Sequence, residues 1–302
     1  MRGLWEDLAA GRPPAGTGGA RVLSDADLPR ALALCTQDPV AAVLATTRLE
    51  QAAAVGLRRS GGQLWGYEVD GTLVALAWAG ANLVPVAPDA RERAAALDAF
   101  AAMGRAQGRR CSSVVGDADA VLPLWERLAP AWGAVREVRA EQPSMVIDGD
   151  PAVDPDPAVR RSVPEEYELV LPACVRMFTE EVGYSPIGGT GGAYEARVRS
   201  LVREGRSFVR VDPGDDGSPQ VVFKAELGAV AGGVAQVQGV WVEPTRRGER
   251  LSEAGMAAVV ALTRRDVAPT VSLYANHYNE RALAAYRAVG FRRVGTYATV
   301  LF

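Results

Sequence analysis

The stretch DGDPAVDPDPAV, from Asp148 to Val159, places three prolines and four aspartates in twelve residues. Proline cannot donate to a sheet ladder and breaks a helix interior, so neither element can run through it. It interrupts the apolar periodicity of a 302-residue chain near its middle. A chain of that length is comfortable for two domains. The elements read on either side follow a similar order, which suggests an internal duplication at domain scale. The expected division is a flexible leader over residues 1–20, a first domain over 21–148, a linker over 149–159 and a second domain over 160–302.

In the first half, ARVLSDADLPRALALCTQDP reads as a strand, a capped turn and a helix. LWGYEVDGTLVALAWAGANLVPVA reads as strands around a hairpin turn at Asp70-Gly71. DARERAAALDAFAAMGRAQG is an amphipathic helix closed by Gly108, RCSSVVGD a strand, AVLPLWERLAPAWG a helix and AVREVRAEQPSMVI strand-rich. The second half repeats this with two helices through YELVLPACVRMFTEEVG and AYEARVRSLVREG, then a hairpin through SFVRVDPGDDGSPQVVFKAELGAV. The stretch GVWVEPTRRGERLSEAGMAAVV follows, then the strand TVSLYAN, the helix ERALAAYRAVG and the closing strands FRRVGTYATVLF.

GVWVEPTRRGERLSEAGMAAVV carries the chemistry. Val240, Trp241 and Val242 favour a buried strand, which Glu243 and Pro244 end. Met256, Val259 and Val260 recur at helical spacing, with Ser252 as the expected N-cap. A strand, a basic glycine-containing turn and a helix start together cradle an anion, because free N–H groups and the positive end of the helix dipole converge. Arg246, Arg247 and Arg250 add cationic side chains there. A plain βα connection with a solvated basic face is the competing reading.

Composition narrows the class. The hydrophobic share is 48%, the charged share 23% and the net charge −3. That is an ordinary soluble globular balance without the basic excess of a nucleic-acid binder. No run reaches the ~20 apolar residues of a membrane span. The distant Cys35, Cys111 and Cys174 fit reduced thiols of a cytoplasmic protein and offer no metal framework. His277 is the only histidine, which excludes multi-histidine metal sites. Lys224 is the only lysine, which reads as the codon bias of a GC-rich genome.

The second half resembles the GNAT superfamily of acyl-CoA-dependent N-acyltransferases. Arg247-Gly248-Glu249-Arg250-Leu251-Ser252 is similar to the family's pyrophosphate loop, Arg/Gln-x-x-Gly-x-Gly/Ala. Arg247 matches, Arg250 stands where glycine is usual, and Ser252 is small. LYANHYNERALAAYRAVGF is similar to the last strand–helix unit of the family, with Asn279, Ala282, Tyr286, Gly290 and Phe291 matching. From about Ala20 onward the chain also resembles actinobacterial tandem GNAT proteins with an uncharacterised N-terminal domain, in phrases such as GANLVPV and GRRCSSVVGDADAVLPLWERL.

The resemblance implies an α/β (α+β) fold of two tandem GNAT-like domains, each a mixed, mostly antiparallel sheet flanked by helices. It implies acetyl-CoA as co-substrate, no metal, and direct acetyl transfer to a primary amine on a small molecule, an aminoacyl group or a peptide N-terminus. The expected cofactor contacts are Val240, Trp241, Val242, Arg247, Gly248, Arg250, Leu251, Ser252, Asn279 and Tyr286. Tyr286 is the expected acid for the departing thiolate, with core packing as its alternative role. Glu226, a carboxylate interrupting an apolar strand, is the favoured base through a raised pKa, with a surface carboxylate paired in the neighbourhood of Lys224 or simply solvated as its alternative. Glu180 and Glu181 are the other candidate bases, against a solvated helix end. Gln236 and Gln238 alternate on one strand face, with solvent exposure as the default. Asn279 also suits a helix cap. In the first half, Pro88, Asp89 and Glu92 replace the basic turn, so that copy is expected to be degenerate. No nucleic-acid or membrane partner is expected, and a homodimer stays open. A mycothiol-synthase-like transferase and a non-catalytic acyl-CoA sensor are the alternative functions.

Overall fold

A computed structural model describes residues 18–187, 192–214 and 216–302. The chain divides into two units, one of Met1–Pro143 with Gly295–Phe302 and one of Ser144–Val294.

The first unit runs β1 (Gly19–Val22), α1 (Leu28–Cys35), α2 (Pro39–Val55), β2 (Gln63–Val69), β3 (Thr72–Ala79), β4 (Asn82–Val86), α3 (Arg93–Gln107), β5 (Ser113–Asp117) and α4 (Ala118–Trp132), and then enters β6 (Glu137–Ile147). Most of the expected leader, residues 1–17, lies outside the described residues. Its end is not a leader, because Gly19 and Ala20 pair with Glu68 and Tyr67 of β2. Arg21 and Arg30 share Asp27 and Glu68 at 2.5–2.9 Å, which ties β1 to α1. The hydrogen bond from Arg21 holds Asp27 far below the usual carboxylate range. The β2–β3 hairpin turns at Asp70 (φ 49°) and Gly71 (φ 77°), the pair of positive φ values that a tight hairpin requires.

Helix α2 was not legible as a helix. Ala42, Val43, Ala45, Thr46, Thr47 and Leu49 are all buried, so no single apolar stripe marks it. The readable signal was its start, where Asp38 accepts from the Ala41 amide and Pro39 occupies the first turn.

The second unit runs β7 (Arg160–Arg161), α5 (Tyr167–Val182), α6 (Ala193–Arg203), β8 (Ser207–Pro213), β9 (Pro219–Ala231), β10 (Val234–Val242), α7 (Leu251–Asp266), β11 (Thr270–Tyr274) and α8 (Glu280–Val289), followed by β12 (Arg292–Leu301). The order β-α-α-β-β-β-α-β-α-β thus occurs twice. In both copies the sheet is antiparallel except for one neighbouring pair, β4 with β5 and β10 with β11. One face of the second sheet packs Phe223, Ala225, Leu227, Ala235 and Val237 with Met256, Val260 and Tyr286. The other face packs Val209, Val221 and Trp241 with Val170, Cys174 and Val198.

The closing strands depart from the expected division. Tyr297–Leu301 of β12 pair with Asp117–Ser113 of β5, so the end of the chain completes the first unit. Ser144–Ile147 of β6 pair with Tyr274–Val271 of β11, so they belong to the second. The segment 149–159 has no regular structure, as its prolines dictate, but it is anchored within the second unit. Ala152 donates to the Val289 carbonyl, Asp156 meets Arg210 at 2.9 Å, and Val159 is buried.

Candidate active site

In the second unit, β10 pairs with β11 only through Val234–Val237. From Gln238 to Val242 its ladder partners are on β9 alone, so β10 presents a strand edge there. Its register against β9 shifts between Gln238 and Trp241, leaving Gly239 and Val240 without a ladder partner. Gly239 sits at φ +59°, which glycine adopts without strain. This bulge lies where the parallel strands part. The Trp241 ring is buried on the other side, beneath Arg176 and donating through Nε1 to Glu180 at 3.2 Å, so only its backbone faces the edge.

The strand ends at Val242 and the chain turns through Pro244–Arg246 into α7. Ser252 is not the N-cap. It lies inside the first turn, and Arg250 takes the cap position in the left-handed region, φ 60° and ψ 19°. The Arg250 side chain makes no capping bond and meets Glu253 at 2.6 Å instead. The first amides of a helix lack intrahelical partners, so the start of α7 keeps donors and positive dipole facing outward. The three arginines are each held by carboxylates: Arg246 by Glu249 and Asp212, Arg247 by Glu180 at 2.6 Å, and Arg250 by Glu253. Arg247 also donates to the Val242 carbonyl, which keeps it at the end of β10. A left-handed arginine carries strain of about 1 kcal/mol that glycine avoids. Arg250→Gly is therefore expected to raise the melting temperature slightly, as a thermal scan will read; a lower value would count against this backbone conformation.

Glu226 does not fit its expected role. It is 4% exposed, and its Oε1 lies 2.7 Å from Nζ of Lys224, which is fully buried. Cys174 donates to Glu226 Oε1 at 3.3 Å, and Gln238 Nε2 donates to Glu226 Oε2 at 3.4 Å. Burial pushes the carboxyl up, but the Lys224 charge and hydrogen bond outweigh it and the pKa ends lowered. A carboxylate locked against a buried ammonium is a poor proton acceptor. The same burial, next to Glu226, pushes the Cys174 thiol up to about 12, so it is no nucleophile. Gln236 and Gln238 are not solvent-exposed either: Gln236 is buried and Gln238 is half-buried against Glu226.

Tyr286 lies on α8 in the core face, 7% exposed, with its ring 6.0 Å from Phe291. Burial, and then the charge of Glu181, raise its phenol well above the ordinary value. Burial above all raises Tyr194, with the Glu181 charge a lesser contributor, and its hydroxyl donates to the Cys174 carbonyl at 2.8 Å. Of the neighbouring acids of α5, Glu180 accepts from Trp241 and Arg247, and Glu181 is exposed, its charge adding to the raised Tyr286 pKa. Asn279 caps α8, accepting from the Ala282 amide at 3.2 Å. Among the described residues, no group of three or more metal-ligating side chains forms, and no helix is long and apolar enough to cross a membrane.

The corresponding place in the first unit is built differently. The register of β4 against β3 runs unbroken from Leu83 to Val86, and Pro85 has no amide to offer. The following turn is closed on itself. Asp89 accepts from the Arg91 and Arg93 amides, and the Arg93 guanidinium donates to the Ala87 and Pro88 carbonyls and to Asp119. Glu92 occupies the cap position of α3, an acidic start unsuited to phosphate.

Residues 62–170 match a family described as a domain of unknown function (DUF4081). No curated protein matches the chain. Among solved structures, a Drosophila protein superposes with a TM-score of 0.60 at 16% identity, over 95% of this chain and 99% of that one. A GCN5-related N-acetyltransferase from Sphaerobacter thermophilus superposes at 0.58 and 20% identity, over 94% of each chain. The GCN5-related glucosamine N-acetyltransferase region of a fungal multi-domain GH3 β-N-acetylglucosaminidase does so at 0.52 and 14% identity, over 96% of this chain and 38% of that one. With its doubled element order and its parallel strands parting beside a bulge, the chain has the fold of the GCN5-related N-acetyltransferases.

Proposed function

We propose that the second unit is an acetyl-CoA-dependent N-acetyltransferase with one cofactor site per chain, acting on a primary amine. The observation that carries this reading is the succession of an open β10 edge, a bulge and an uncapped α7 start within Gln238–Ser252. The edge from Val240 to Val242 suits the pantetheine amides as an added strand. Gly248, Arg250, Leu251 and Ser252 suit the pyrophosphate, with Arg247 released from Glu180 to meet it. The closed turn at Asp89 leaves the first unit without such a site.

In the proposed reaction the neutral amine attacks the thioester carbon. The oxyanion is stabilised by a backbone N–H at the bulge, the C–S bond breaks, and the thiolate takes the proton of Tyr286. The proton lost by the amine passes to Glu181 through water. This assignment replaces Glu226, which is held by Lys224. Asn279, at the start of α8, is kept as a cofactor contact beside its capping role. Three buried free thiols suit a reducing compartment, and we place the protein in the cytoplasm.

Isothermal titration with acetyl-CoA is expected to give about one site per chain, and Arg247→Ala to weaken it by up to about tenfold. Thiol release on adding a panel of small amines, aminoacyl compounds and peptides reads the transfer. Glu181→Gln is expected to lower that rate most at low pH, where more of the amine is protonated, with affinity for acetyl-CoA unchanged. Two equal sites would overturn the assignment to the second unit. Binding without release across the panel would leave an acyl-CoA-binding protein.

A further inference from the structure

Lys224 is the one lysine among 33 lysine and arginine side chains, and it is fully buried. Its ammonium lies 2.7 Å from Glu226 and donates to the Gly239 carbonyl at 3.0 Å. That carbonyl belongs to the bulge, and the fit around it is close. A Cβ on Gly239 would lie 3.2 Å from Lys224 Nζ, 3.2 Å from Met177 Cε and 3.3 Å from Glu226 Oε2. A guanidinium is broader and carries its donors in a planar fork, so arginine does not substitute for a compact ammonium here. The codon-bias reading of this lysine therefore misses its place in the fold.

In a trans peptide the C=O and N–H point in opposite directions, and no cis bond occurs among the described residues. The Lys224 ammonium stands off β9 on the side that packs under α5, where Glu226 meets Cys174, so the Gly239 carbonyl is drawn toward that ammonium and the Val240 N–H is turned away from it. β11 has left β10 by this point, so no ladder partner takes up the Val240 N–H. We propose that Lys224, neutralised by Glu226, is a positioning residue that orients and polarises the Gly239–Val240 peptide so that its N–H serves the thioester oxygen. A cation on the carbonyl end of a peptide strengthens the donor at its other end, as along any hydrogen-bonded chain in a low-dielectric interior. The pair thus acts through the backbone and never touches the acyl group. This inference rests on the reading that the second unit binds acetyl-CoA.

The test uses the full chain and acetyl-CoA labelled with ¹³C at the thioester carbonyl. Difference infrared spectra are taken of the wild type and of the Lys224→Met/Glu226→Leu double variant, which removes both charges together and strands neither. Circular dichroism and titration with unacylated CoA accompany each spectrum. The wild type is expected to shift the carbonyl stretch to lower frequency. The double variant is expected to lose most of that shift while binding CoA as the wild type does, an outcome that a merely structural role would not produce. A folded, CoA-binding double variant that keeps the full shift overturns the proposal. A wild type that binds acetyl-CoA without any shift also overturns it and leaves the cofactor reading standing. A wild type that binds neither CoA nor acetyl-CoA overturns the cofactor reading itself, and this proposal with it. Should the double variant fail to fold, Gly239→Ala gives the second measurement. It keeps both charges but disturbs the bulge, and an unchanged shift there overturns the proposal.

Discussion

Replacing Tyr286 with phenylalanine is expected to lower turnover by about 10²–10⁴-fold, the usual contribution of a positioned general acid. Affinity for acetyl-CoA should change little, because the lost hydroxyl acts on charge that develops only as the C–S bond breaks. The phenyl ring keeps its contact with Phe291 and its place in the core, so the variant should melt close to the wild type. The pH profile carries a second signature. Burial and the Glu181 charge hold the phenol protonated well beyond its ordinary range. The acid therefore stays competent in alkaline solution, and the rate should climb with deprotonation of the amine and then level off. A fall near the ordinary tyrosine pKa of about 10 would contradict this environment. Full turnover in Tyr286→Phe with a confirmed acceptor would move the acid elsewhere or leave the thiolate to depart unaided.

The second large effect concerns stability. Glu226→Gln leaves the Lys224 ammonium buried without its counter-charge, and breaking a buried pair in this way costs about 3–5 kcal/mol. Lys224→Met strands the carboxylate and should cost a similar amount. The Lys224→Met/Glu226→Leu double variant should lie near the wild type, because replacing both members of a buried pair by apolar groups is often neutral. Urea unfolding of the four proteins measures this directly, and additive losses in the double variant would contradict the pairing. The pH dependence follows from the directions of the two shifts. Glu226 titrates below its ordinary value of 4.5 in the folded state, so its contribution is present above that pH and is lost as pH falls through the folded pKa. Lys224 titrates above its ordinary 10.5, so its contribution is present below that pH and is lost as pH rises through the folded pKa. Between those limits the gap between Glu226→Gln and the wild type should be constant, and it should close in acid. A loss of this size also means that inactivity of Glu226→Gln says nothing about a catalytic base. Glu181→Gln on the outer end of α5 is free of that ambiguity.

Local patterns in the sequence settled a good deal. The hairpin at Asp70-Gly71 was readable because two adjacent positive φ angles demand such residues. The end of β10 at Glu243-Pro244, the helix after it and the Asn279 cap were readable because each depends on neighbours a few positions away. The repeated order of elements on either side of Asp148–Val159 was readable for the same reason, whereas α2, buried around most of its circumference between Ala42 and Leu49, carried no periodic stripe.

What depended on distant partners was not readable. Glu226 lies two positions from Lys224 on β9, so strand alternation already set the two on one face; only packing buried that pair, added Cys174 from α5 and left the carboxyl pKa lowered. Glu180 and Glu181 were interchangeable neighbours until the placement of α5 set Glu180 against Trp241 and Arg247 and left Glu181 exposed. The closing strands β6 and β12 were recognisable as strands, but their alternation of side chains says nothing about which edge accepts them. That choice lies in ladder hydrogen bonds to β11 and β5, between residues as many as 188 positions apart, as Leu301 is from Ser113. The sequence by itself determined the elements, their order and the place of the basic turn, because these rest on short-range backbone preference. Only the tertiary structure decided which charges are paired, which proton donors are buried and which strand completes which sheet, because those free energies arise from contacts that chain order does not encode.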